Sequence, residues 1–346
     1  MKKKYIVTLM IIITGIMIYN MKNSRGEILK IEPNPEKGFS YEYYLYIPKG
    51  AAQSEIKYML VEPNNGGRAS DNHKDHVLDA KRLLLSKWCN KMAKALKTPL
   101  LVPVFDRPKS NWKMYTHDLD RDTLKNNEGK LSRIDLQLIN MIKDAQEKLR
   151  DKGIVLEDKV FMHGFSASGS FVNRFAALHP RYVKAVASGG ISYMPILPRD
   201  VWEEEKLIYP IGVYDIEEIA DIQFNLSQYR DVAQYIYMGY MDDNDPLPYD
   251  DSYDEEERDV IKRFLGIPLM GRWEKSKEIY EALNIPAQFV VYNGVEHEIK
   301  DEMLEDIIHF YQANNNEGIH YIQSYQYPFM EKHQLEKVHI KDGYNP

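Results

Sequence analysis

The chain has 346 residues, is 44% hydrophobic and 28% charged, and carries a formal net charge of −7. This is the composition of a globular protein, excluding a low-complexity or fibrous chain, and folding as one unit would bury roughly three quarters of its extended surface. The acidic balance argues against a nucleic-acid partner, and the single cysteine, Cys89, excludes an internal disulfide.

Lys2, Lys3 and Lys4 precede an apolar, charge-free stretch from Tyr5 to Tyr19. A basic head followed by about 15 apolar residues is the plan of a secretory signal, and it is short for a relaxed membrane span of about 20. Ile16-Met17-Ile18-Tyr19 is too bulky for a small-x-small cleavage site, and no cysteine there could accept a lipid. Cleavage and retention as an anchor therefore both stay open, beside a buried N-terminal helix. Either main reading makes the protein extracytoplasmic, with residues 1–26 as the leader and any membrane contact confined to it.

Next, Tyr43–Ile47 reads as an aromatic-rich strand and Lys57–Glu62 as a second apolar run, stopped by the loop Pro63-Asn64-Asn65-Gly66-Gly67. Asp75–Leu96 has helical spacing throughout. Pro99–Phe105 resembles a strand buried on both faces, and its internal Pro103 either weakens that reading or places the proline at a strand end. Ile134–Leu149 is an amphipathic helix, Lys159–His163 a short strand, and Phe171–Leu178 helical again. Strands are predicted at Val183–Ser188, Gln234–Met238 and Ala287–Tyr292, with helices over Arg272–Leu283 and Lys300–Tyr311. The alternation predicts a mostly parallel sheet with helices on both faces, where function collects at the carboxyl ends of strands.

The strand ending at His163 runs through Gly164-Phe165-Ser166-Ala167-Ser168-Gly169 into a helix. This resembles the nucleophile elbow of the α/β-hydrolases, written G-x-S-x-G, with Ser168 in place of the second glycine. Ser166 has the best-fitting neighbours of the three serines, although serine- and glycine-rich turns also serve as plain helix caps. The resemblance extends along the chain, since the family order is Ser, then Asp or Glu, then His. His297 follows a strand within Asn293-Gly294-Val295-Glu296-His297-Glu298, and is similar to the last-strand histidine. Between them, Gly239-Tyr240-Met241-Asp242-Asp243-Asn244-Asp245-Pro246 resembles the turn that presents the acid; Asp242 has the better spacing, Asp245 is the alternative, and Asp243 is third.

The resemblance implies an α/β-hydrolase fold over about Tyr43 to Ala313, with a small cap insertion between Arg199 and Tyr229. Domain limits follow at 27–313 for the body and 314–346 for a tail. It also implies an oxyanion hole from the Ala167 N–H and the Asn65 N–H, with Asn64 or Gly66 as near alternatives. Trp202, Tyr209, Tyr214 and Phe224 of the cap would line an acyl pocket or pack an ordinary insertion. The branch it looks most like comprises secreted esterases, polyhydroxybutyrate-depolymerase-like proteins and prolyl-oligopeptidase-like hydrolases. The implied activity is hydrolysis of a small-molecule or polymer ester by a Ser-Asp-His triad, with no cofactor. The rival readings are a non-catalytic surface binding protein, or a peptidase or acyltransferase with the same triad.

No metal is expected either. The acidic run from Asp242 fails the EF-hand pattern, having Leu247 at position six and Tyr253 at position twelve. Asp250–Asp259 reads instead as a solvated face that starts a helix.

Overall fold

The computed structural model describes residues 26–324. The leader and the tail beyond Ser324 lie outside the described residues. Among the described residues, no helix is long and apolar enough to cross a membrane.

In chain order the strands are β1 (Glu27–Ile31), β2 (Tyr43–Ile47), β3 (Met59–Val61), β4 (Leu100–Pro103), β5 (Val160–Phe165), β6 (Val183–Gly189), a hairpin of β7 (Val201–Trp202) and β8 (Glu205–Lys206), β9 (Ala233–Gly239) and β10 (Ala287–Tyr292). Eight of them form one sheet in the order β1-β2-β4-β3-β5-β6-β9-β10. β2 runs antiparallel to both of its neighbours, and from β4 to β10 all pairs are parallel. The parallel strands carry no polar face because both of their faces are covered. Along β5, Val160 and Met162 enter one apolar cluster while Phe161 enters the other.

The helices are α1 (His73–Leu84), α2 (Lys87–Leu96), α3 (Arg121–Lys125), α4 (Ile134–Asp151), α5 (Ala167–Leu178), α6 (Ile216–Ala220), α7 (Leu226–Arg230), α8 (Glu255–Phe264), α9 (Leu269–Ala282) and α10 (Asp301–Ala313). α4, α5, α8 and α9 feed the core on one face of the sheet, and α1, α2 and α10 feed the other. This mostly parallel sheet, covered on both faces and carrying a small insertion after β6, is the α/β-hydrolase fold. The insertion holds the β7–β8 hairpin, α6 and α7, ending at Arg230.

The helical stretch Asp75–Leu96 is two helices, not one. The chain breaks at Leu85, and the Ser86 side chain caps α2 by accepting from the Cys89 N–H. Periodicity carries across that break, so the apolar pattern alone conceals it. Pro103 closes β4 beside Tyr43, the strand-end position expected of a proline. Beyond α10, Asn314 and Asn315 are buried, and the Asn315 side chain bonds the Lys57 N–H and the Glu55 carbonyl. The first residues of the tail are therefore packed on the body.

Candidate functional site

Strands β3, β5, β9 and β10 run parallel, so the loops that follow them share one edge of the sheet. Ser166 stands between the last residue of β5 and the first of α5, with φ 62° and ψ −131°. A non-glycine residue there costs on the order of 1–3 kcal/mol, which the surrounding structure must hold. It is held by the Ser166 N–H bonded to the Gly189 carbonyl (2.9 Å) and by the start of the helix, where the Ser170 N–H reaches the Ser166 carbonyl (3.1 Å). Gly164 is required by contact: a Cβ there would lie 2.1 Å from the Ser168 carbonyl oxygen. Ser168 fits because its hydroxyl turns back onto the Phe165 backbone, 3.0 Å from both the N–H and the carbonyl.

His297 and Asp242 come from the loops after β10 and β9, which are neighbouring strands with Tyr292 opposite Gly239. Two backbone bonds join these loops, from the Tyr240 N–H to the Tyr292 carbonyl (2.8 Å) and from the Met241 N–H to the Val295 carbonyl (2.9 Å). The approach is close enough to demand glycine at 239, since a Cβ would meet the Val295 oxygen at 2.2 Å. The Tyr193 hydroxyl lies 2.9 Å from both the Gly239 and the Asp242 carbonyls and fixes the turn.

The result is a 2.8 Å contact between His297 Nδ1 and Asp242 Oδ2, in which the carboxylate side chain is fully buried and the imidazole is 30% exposed. A carboxylate can only accept, so Nδ1 carries the proton and Nε2 keeps its lone pair. The Asn244 side-chain amide donates towards that lone pair at 3.4 Å, and the Asn244 backbone N–H bonds the other Asp242 oxygen at 3.0 Å. Asp245, the alternative acid, is turned elsewhere: it forms a two-pronged ion pair with Arg272, at 2.8 and 3.1 Å. Asp243, Glu296 and Glu298 are exposed to solvent.

Ser166 and His297 are linked through shared neighbours. The Phe165 ring packs on the imidazole with centroids 4.8 Å apart, and Asn244 lines the same cavity as Ser166. Among the described residues, no hydrogen bond joins the Ser166 hydroxyl directly to His297; such bonds commonly tighten only when substrate is bound.

The Ala167 N–H opens α5, where an amide has no acceptor within the helix. The loop after β3 lies against the elbow, because the Asn65 side chain donates to the Phe165 carbonyl at 3.1 Å. Asn64 has a different task. It is buried, with its oxygen accepting from the Phe105 N–H and its amide donating to the Phe105 carbonyl, each at 2.9 Å.

Two groups near the site escaped the reading of the sequence. Behind the elbow, His163 of β5 places Nδ1 2.6 Å from Glu62 and Nε2 2.9 Å from the Tyr237 hydroxyl, with both members of the His–Glu pair essentially inaccessible. Burial pushes the Glu62 carboxyl up from its ordinary value, against the opposing pull of His163. The signal was a histidine and a glutamate at the ends of two otherwise apolar strands, which burial obliges to pair.

The second group lines the cavity that holds Ser166, about 350 Å³ in volume: Arg107, Tyr115 and Asp118, with Asn244, Pro246, Tyr249, Asp251 and Tyr253. None of Trp202, Tyr209, Tyr214 and Phe224 lines it. Tyr209 is buried instead, with its hydroxyl on the Leu119 carbonyl, while Trp202 and Phe224 pack against the core and Tyr214 is exposed. Among the described residues, no cluster of three or more His, Cys, Asp or Glu side chains is arranged to hold a metal.

No family model matches this chain, and no curated protein matches it. Solved structures do. Poly(aspartic acid) hydrolase-1 from Sphingomonas sp. KT-1 is similar at 15% identity over 79% of this chain and 93% of its own, with a TM-score of 0.50. LpqC, a poly(3-hydroxybutyrate) depolymerase from Bordetella parapertussis, is similar at 13% identity over 90% of this chain and 93% of its own, with a TM-score of 0.52. At such identities the likeness is one of fold.

Proposed function

We propose that the chain is a serine hydrolase acting on carboxylic esters, with Ser166 as nucleophile, His297 as base and Asp242 as the acid that orients it. One observation carries the reading: the 2.8 Å His297–Asp242 pair stands beside a serine held at positive φ, on one edge of the sheet. A serine hydroxyl is a weak nucleophile at neutral pH and needs a base with a free lone pair, which His297 Nε2 supplies.

In this mechanism Nε2 takes the Ser166 proton as Oγ attacks the ester carbonyl carbon. The carbonyl electron pair moves onto oxygen, where the Ala167 and Asn65 N–H groups stabilise the charge. Collapse breaks the bond to the alcohol, which leaves with the proton from His297. Water then attacks the acyl-enzyme, giving its proton to Nε2, and the carboxylic acid departs as Ser166 recovers its hydrogen. Asp242 holds the ring in the correct tautomer and stabilises the imidazolium without taking the proton. The lysine-headed leader suits an extracytoplasmic ester as substrate.

A fluorophosphonate probe tests the central assignment. It should label the native protein and fail to label Ser166→Ala, and undiminished labelling of that variant would sink the proposal. Turnover across p-nitrophenyl esters of rising chain length tests the ester preference.

A further inference from the structure

We infer that Arg107 is a specificity residue, and that the acyl group admitted over Ser166 carries its own carboxylate. The inference rests on the proposed hydrolase reading and concerns which ester enters. Arg107 and Ser166 line the same cavity. Its volume is at the low end for small-molecule sites, which suits a short acyl chain. Arg107 is 7% exposed, and its guanidinium carbon lies over the Tyr115 ring, 3.3 Å from the centroid. An arginine stacked on a ring keeps its N–H groups in the guanidinium plane, and such a planar fork can grip a carboxylate.

The protein itself uses little of that capacity. One bond runs from Nη2 to Asp251 at 2.9 Å, and the buried Nε has no partner. Burying a charged donor without a partner costs free energy that a bound anion would recover. Asp251 is the resident anion, with its side chain 26% exposed on the loop that roofs the cavity. A substrate carboxylate taking its place would let Asp251 turn to water.

The other charges around the cavity are matched. Asp118 is paired with Arg174 at 2.7 Å, and Arg174 also donates to the Tyr253 hydroxyl at 2.8 Å. Outside the cavity, the neighbouring Asp250 is held by Lys113 and Arg258, each at 2.8 Å. Arg107 is therefore the cation whose partner can be exchanged. A plain alkyl acyl group would strip water from this wall and return no hydrogen bonds.

The test compares monoethyl glutarate with ethyl pentanoate, two ethyl esters with acyl chains of equal length, read as acid release in a pH-stat. The quantity read is the ratio of kcat/KM for the anionic ester over the neutral one. The native protein should favour the hemiester. Arg107→Gln should lower the ratio by about tenfold to a hundredfold, as expected for loss of a charge-assisted bond, and Arg107→Lys should recover part of it. Asp251→Asn should raise the ratio, because it removes the competing anion.

If Arg107 only clamps the roof through Asp251, Arg107→Gln and Asp251→Asn would act alike on both esters and leave the ratio unchanged. That result, or a native preference for ethyl pentanoate, would overturn the inference. Should neither ester turn over, calorimetric binding of glutarate decides: binding lost in Arg107→Gln supports the inference, and absent or unchanged binding overturns it. Failure of the hydrolase reading is separate, since it appears as fluorophosphonate labelling that persists in Ser166→Ala.

Discussion

Two of the molecule's histidine–carboxyl pairs, close in length, invite comparison: His163–Glu62 at 2.6 Å and His297–Asp242 at 2.8 Å. What separates them is the second ring nitrogen. In His163 it is spent on the Tyr237 hydroxyl within an inaccessible core. In His297 it faces only an amide at 3.4 Å, on a ring that is 30% exposed beside the Ser166 cavity. Burial also pushes the Glu62 carboxyl up from its ordinary value. An imidazole can serve as a base only where its lone pair remains open to a substrate. The first pair has the surroundings of a structural strut, and the second those of a working base.

The largest effect that separates the pairs is on rate. Asp242→Asn should lower kcat for a p-nitrophenyl ester by on the order of 10⁴-fold by permitting the wrong tautomer, while leaving the melting temperature nearly unchanged. Glu62→Ala should do the opposite. It leaves a buried histidine without its partner and a void beside it, costing about 3 kcal/mol in denaturant melts. Activity per folded molecule should stay within about tenfold of native. A larger fall would make the Glu62 pair a positioning device for the elbow and erase the distinction.

The smallest effect is a slope. Because the folded-state value for Glu62 lies above its ordinary 4.5, the folded state holds a proton that the unfolded chain releases. Native stability should therefore fall as pH rises above that ordinary value, by at most about 1.4 kcal/mol per pH unit, until the folded group itself ionises. Glu62→Gln imitates the neutral carboxyl and escapes this loss. Its melting temperature relative to native should rise with pH, and a difference that stays flat would mean that Glu62 is charged in the fold.

Much of the fold was legible because β5, β6 and β9 are covered on both faces and read as mainly apolar runs, broken only by single polar residues such as His163, Lys184 and Gln234. Their positions were found to within about two residues. β1 was missed, being a short run (EILKI) without a clear apolar pattern and with little burial. Ser166, Asp242 and His297 were legible as candidates because each follows a strand at a turn. Spacing from Gly239 favoured Asp242 but left Asp245 as the alternative, since the partner that claims Asp245 is Arg272, on a helix 27 residues downstream. The walls of the cavity were illegible for a related reason. Arg107, Tyr115 and Asp251 lie in loops without period, and they meet only through the folded backbone.

The glycine at 239 bears on how this site could be changed. Because the acid-bearing and histidine-bearing loops touch main chain to main chain there, they behave as a single cassette. A chimera that imports one loop from a homologous fold without the other would inherit mismatched carbonyls at the joint. Exchanging residues 239–245 and 292–298 together should transplant the pair intact, so the practical unit of recombination at this edge is the couple of loops.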